Sequence, residues 1–163
     1  GRKLGLAEDR CTQLNLAGQL HDLGMLAVPV EMVANGGKLG LEAFRHVTEH
    51  SEISYQLLQP LASMQPILDA VRHHHERMNG TGYPGGLVGE DIPQDARILA
   101  VAESYDAMTH DRPHRSAMTG HQAMMELRRC TPAGYDLRCV EALAKALNIE
   151  VMETSAQKRT AVA

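Results

Sequence analysis

Only five of the 163 residues are aromatic, four Tyr and one Phe with no Trp, whereas nine are His. A core without bulky rings must be assembled from Ala, Leu, Met and Val, most of which are good helix formers. The periodicity agrees. Apolar residues recur three and four apart in one segment after another, and no alternating run bounded by turns is present. The expected fold class is all-α. At this length one domain is the default, with enough chain for one substantial core.

The helical pattern is punctuated by Gly and Pro. Leu14, Ala17, Leu20 and Leu23 form one face of a first helix over 9–23, which stops at Gly24. The segment 25–40, with Pro29 and the Asn35-Gly36-Gly37 turn signal, reads as a loop. A second helix is expected over 41–58, carrying His46 and His50. A third, opened by Ile67, Leu68 and Val71, runs into His73-His74-His75-Glu76 and ends at Asn79-Gly80. The stretch NGTGYPGGLVGEDIP that follows is too long for a plain connector. A fourth helix over 92–108 carries Glu103 and Asp106. Two amphipathic helices, 120–130 and 136–147, close the domain. The opening GRKLGL reads as the end of a helix that starts upstream. The expected division is a domain over 1–149 and a frayed tail over 150–163.

Sixteen basic against twenty acidic residues give a net charge of −4, which argues against a nucleic-acid polymer or an anionic membrane as partner. No apolar stretch approaches the roughly 20 residues of a membrane span. The three cysteines, Cys11, Cys130 and Cys139, form no C-x-x-C pair and no disulfide framework, which fits a reducing compartment. With no secretory signal pattern at the start, a cytoplasmic setting is expected.

Several groups are suited to metal and phosphate chemistry. His21-Asp22 pairs an imidazole with a carboxylate, a combination that Fe, Mn, Zn or Ni accepts and in which the carboxylate can bridge two ions. Taken alone, such a pair is a common capping feature. Three successive imidazoles at 73–75 gain little from packing and repel when protonated, so a stabilising partner is expected. The glycine-rich loop lacks the Walker pattern, and its Tyr83-Pro84 offers a rigid aromatic surface. Arg112 and Arg115, around Pro113, are spaced to present two cations to phosphate oxygens.

In this order, HD at 21–22, His50, HHE at 74–76, GYP at 82–84 and the DRPHR turn at 111–115, the motifs resemble the HD-GYP domains of the HD metal-dependent phosphohydrolase superfamily. The resemblance extends from about Leu6 to Ala144. It implies a helical bundle with a bi- or trinuclear metal site and hydrolysis of the bacterial second messenger cyclic di-GMP to pGpG, in some members on to GMP. It makes His21, Asp22, His50, His74, His75 and Glu103 the metal ligands, with Asp22 as the bridge, and two Fe or Mn ions the expected cofactors, with Zn, Ni or Mg as alternatives. Tyr83, Arg112 and Arg115 would contact the nucleotide, the arginines through phosphate, so that Asp22 and Arg112 carry the catalysis. The family also implies a GGDEF-domain partner at the GYP loop, an N-terminal sensor or receiver domain, and a homodimer as a further candidate assembly.

Three positions depart from the family pattern. Met25 stands where a lysine commonly follows the HD motif, Glu103 replaces the usual aspartate, and His114 replaces the tyrosine of the RPY motif. These departures keep open a different class of function, a degenerate module that binds metal, nucleotide or a GGDEF partner without turnover.

Overall fold

Helix α5, Gln94–Thr109, runs between two packed clusters and belongs to both. Its Leu99 joins Leu14, Ala17, Leu58, Ile67, Leu68 and Val71. Its Val101 faces Met124, Leu127, Cys139, Val140 and Ala144. The computed structural model describes residues 1–34, 40–112 and 115–150, of which residues 33 and 34 are described by backbone alone.

The helices are α1 (Glu8–Leu20), α2 (Val30–Ala34), α3 (Leu41–Leu58), α4 (Leu68–His73), α5, α6 (Gly120–Arg129) and α7 (Leu137–Leu147). Short 3-10 turns at Arg2–Leu4, Leu23–Ala27, Ala62–Ile67 and Gly89–Asp91 link them. Among the described residues there is no β-strand, and isolated bridges join Asn79 to Val88 and Arg112 to Arg115. The all-α expectation holds. No helix is long and apolar enough to cross a membrane.

Local chemistry explains several boundaries. Thr119 opens α6 through a reciprocal capping box with Gln122, and Asp136 caps α7 by accepting from the Arg138 amide. Asp136 also accepts from Arg97 of α5 at 2.7 Å, an almost fully buried ion pair that ties α7 to the central helix. The fully buried Leu127 and Met124 are large side chains whose truncation to Ala would cost about 2 to 5 kcal/mol each.

Two expectations need correction. The span 25–40 is not simply a loop, because it holds the end of the Leu23–Ala27 turn and α2. The third helix does not run through 76. It begins as a 3-10 turn containing Pro66 and its α-helical part ends at His73. The opening segment is a 3-10 turn closed by Gly5 in the left-handed region. The Asn35-Gly36-Gly37 signal, Pro113, His114 and the tail from 151 lie outside the described residues.

Candidate metal centre

The site forms where two helix ends and two helix flanks meet. His21 caps the C-terminus of α1 and Asp22 follows it. His50 lies in α3, His74 and His75 follow the end of α4, and Glu103 lies in α5. Stopping α4 at His73 lets the next turn carry both following rings into the site, with centroids 4.1 Å apart.

Three of the histidines are held alike. The Nδ1 atoms of His21, His50 and His74 donate to the carbonyls of Gly18, Val47 and Val71, each three residues earlier, at 2.9, 2.5 and 2.7 Å. A carbonyl can only accept, so each Nδ1 carries a proton and the Nε2 atom is the one turned inward. The Nε2 atoms of His50 and His74 then face each other at 3.3 Å, an arrangement that needs positive charge between them. Asp22 Oδ1 lies 3.2 Å from His50 Nε2 and 3.9 Å from His74 Nε2, and its other oxygen lies 3.4 Å from His21 Nε2.

These separations suit a cation. Donors about 2.1 Å from one ion stand roughly 3.0 Å apart at right angles and about 4.2 Å apart when opposed. Two donor groups satisfy the requirement, Asp22 with His50, His74 and His75, and His21 with His74 and Glu103. Within each, the donor atoms lie within 4.8 Å of one another. The residues present therefore fit divalent metal, and all six sequence-derived ligand candidates belong to one or other group.

The electrostatics are those of a half-buried charge cluster. Burial opposes ionisation of Asp22, but the hydrogen bond from His50 and the charges of His21, His50 and His74 overcome it and hold the carboxyl at about 2. Burial and then the neighbouring imidazoles push His74 down to about 3 and His75 to about 2, so both are neutral near pH 7. For His50 burial opposes the charged form, but its bonds to Asp22 and the Val47 carbonyl together with the charges of Asp22 and Glu103 prevail, and its pKa rises. Burial raises Glu103.

The GYP loop is fastened to the same segment. Glu76, fully buried, accepts from the amides of Gly85 at 2.6 Å and Leu87 at 3.1 Å. Gly82 is required by close approach, since a Cβ there would overlap the backbone of Glu76 and Arg77. Tyr83 is half-buried with its ring 4.7 Å from that of His75 and 6.4 Å from that of Phe44. Tyr83 thus lines the cluster, its rigid aromatic surface set beside His75 and His50.

Arg112 and Arg115 enter neither donor group. They lie exposed in a turn beyond α5, paired through backbone bonds of 2.9 Å, and Arg115 donates to the Ala107 carbonyl at 2.6 Å. Met25 is half-buried in the turn after Asp22. The cation whose charge reaches His75, Tyr83 and Glu103 is Arg77, stacked over Tyr135 at 4.9 Å. Sequence reasoning missed Arg77, the anchoring role of Glu76, and Ser54 of α3, whose hydroxyl contacts the HD turn. Glu76 and Arg77 adjoin the histidine run, and that adjacency was the available signal.

Comparison with known proteins agrees with this construction. The family model for the HD domain matches residues 1–138. The chain belongs to the HD-domain family. It is 40% identical over 146 residues to the cyclic di-GMP phosphodiesterase response regulator RpfG of Xanthomonas campestris, covering 88% of this chain and 38% of that protein. It is 33% identical to the 3'3'-cGAMP-specific phosphodiesterase 3 of Vibrio cholerae, covering 91% of this chain and 32% of that one. The fold matches the solved structure of Bd1817, an HD-GYP-type protein from Bdellovibrio bacteriovorus, with TM-score 0.70 at 23% identity over 90% of this chain and 47% of that one. The chain spans under two fifths of the length of these two curated relatives.

Proposed function

We propose that this chain is a metal-dependent phosphodiesterase domain that hydrolyses cyclic di-GMP to linear pGpG. The observation that carries the reading is the pair of donor groups around Asp22, which turns one oxygen toward His21 and the other toward His50 and His74. Relatives named for cyclic di-GMP and cGAMP hydrolysis support a cyclic dinucleotide as substrate. In this reading His21, Asp22, His50, His74, His75 and Glu103 hold two ions, Fe or Mn, with Asp22 as the bridge. The ions supply Lewis acidity that activates water and offsets phosphate charge.

The chain's own residues do the rest. Neutral His74 and His75 offer lone pairs at neutral pH without first losing a proton. Tyr83 presents a flat wall beside the cluster for a guanine base, while Arg112 and Arg115 engage phosphate. The outer side of the GYP loop is the surface we assign to a GGDEF partner. Met25 supplies no cation near the scissile phosphate. Loss of one such donor costs on the order of 10² to 10³ in rate, so hydrolysis is expected to be slow and to stop at pGpG.

Met25 also favours a second reading, a receptor that binds the nucleotide without turnover. Chromatographic turnover assays on the metal-loaded wild type and Met25→Lys, run side by side under reducing conditions, separate the two. The enzyme reading expects slow formation of pGpG, faster in Met25→Lys. Retained nucleotide binding with no hydrolysis by either protein would establish the receptor instead.

A further inference from the structure

We propose that Ser54 is a positioning residue for the metal centre, its hydroxyl holding the HD turn against α3 and so setting the spacing of donors carried by the two elements. The inference rests on the metal-centre reading above and adds to it a residue outside the donor groups. Ser54 lies one helical turn beyond His50 on the same side of α3 and is fully buried. Its Oγ donates to the carbonyl of His21 at 2.8 Å and accepts from the amide of Gly24 at 2.7 Å. A hydroxyl has one proton and two lone pairs, so both bonds form at once.

The two partners bracket Asp22 in the chain. The His21 carbonyl follows the last turn of α1 and the Gly24 amide begins the 3-10 turn, both places where backbone groups lack regular helical partners. One side chain satisfies both. Gly24 completes the fit, since a Cβ there would overlap the His50 carbonyl oxygen and lie 2.8 Å from the Ser54 amide nitrogen. The turn bearing His21 and Asp22 therefore sits directly on the backbone that carries His50. The 3.2 Å separation between Asp22 Oδ1 and His50 Nε2 is the result.

A purely structural hydroxyl would stabilise the fold without affecting metal affinity. Ser51 provides the comparison. It lies on the same helix, is equally buried, and donates at 3.4 Å to the carbonyl of Thr48 within its own helix. Mn²⁺ affinity by competition with a chelating dye, the visible spectrum of the Co²⁺-loaded chain, and thermal unfolding of the metal-free chain are measured for wild type, Ser54→Ala and Ser51→Ala.

Removing a group that orients metal ligands typically weakens metal binding 10- to 100-fold. Ser54→Ala is expected to fall in that range with a shifted Co²⁺ spectrum, while Ser51→Ala binds as wild type. Ser54→Thr and Ser54→Val, similar in size and differing in the hydroxyl, provide a second comparison, with tighter Mn²⁺ binding expected for Ser54→Thr. Wild-type affinity in Ser54→Ala, equal weakening in both alanine variants, or equal binding by the Thr and Val variants would overturn the proposal. A wild type that takes up neither metal would overturn the metal-centre reading itself, a result distinct from these.

Discussion

Replacing Glu76 with Gln changes one atom and should release the GYP loop. The carboxylate accepts from two backbone amides, Gly85 at 2.6 Å and Leu87 at 3.1 Å, with no exposure of its side chain to water. Bonds to a charged acceptor are worth about 1.5 to 3 kcal/mol each. Gln keeps one acceptor oxygen and turns an NH₂ toward the other amide, so one bond is lost and a buried donor is left facing a donor. A cost of about 3 kcal/mol follows, or roughly 10²-fold in the equilibrium for local opening. Hydrogen exchange read by mass spectrometry should show that increase in the peptide spanning 80–89, while α5 exchanges as in the wild type. Unchanged protection of Gly85 and Leu87 would refute the view that this carboxylate holds the loop.

Asp22→Ala should lose metal more completely than alanine replacement of any single histidine, because each carboxylate oxygen faces a different donor group. Elemental analysis checks this, and a fully metallated Asp22→Ala would remove the bridge. Tyr83→Ala should keep its fold and metal but bind cyclic di-GMP about tenfold or more weakly, as expected for loss of one base-stacking ring. Titration calorimetry reads the affinity, and loss of metal instead would place the loop among the ligands. For Asp136, burial works against ionisation, but its bonds to Arg138 and the charges of Arg138 and Arg97 prevail and lower its pKa. Its stabilising contribution is therefore present above the ordinary value of 3.8 and is lost as pH falls through the lower folded value. Asp136→Ala should cost about 3 to 5 kcal/mol at neutral pH by leaving buried Arg97 without its partner, and the gap in melting temperature from wild type should narrow below pH 3.8.

What could be read from the sequence differs by element for physical reasons. Helix α3 was expected over 41–58 and forms over Leu41–Leu58, because Gly40 and Pro60 bracket a stretch with clear apolar spacing. The Leu23–Ala27 turn and the short α2 left no such trace. They are too short to develop a 3.6-residue period, and the turn owes its place to contact between Gly24 and α3. The donor set spans four elements between residues 21 and 103, so no local pattern unites it, and the family motifs supplied the connection. Glu76 and Ser54 were harder still. Each acts by bonding backbone amides or carbonyls, and backbone partners leave no mark in the residue types opposite them.

Glu76 grips the glycine loop by peptide amides alone. Its two partners are the main-chain N–H groups of Gly85 and Leu87, while glycine is demanded at Gly82 by close approach and favoured at Gly80, Gly86 and Gly89 by a left-handed backbone. Positions that meet Glu76 only through the main chain carry no side-chain requirement at that contact. Loops of quite different lettering can hang on the same peg, and the outer face of such a domain can diversify while the histidines behind it stay in register.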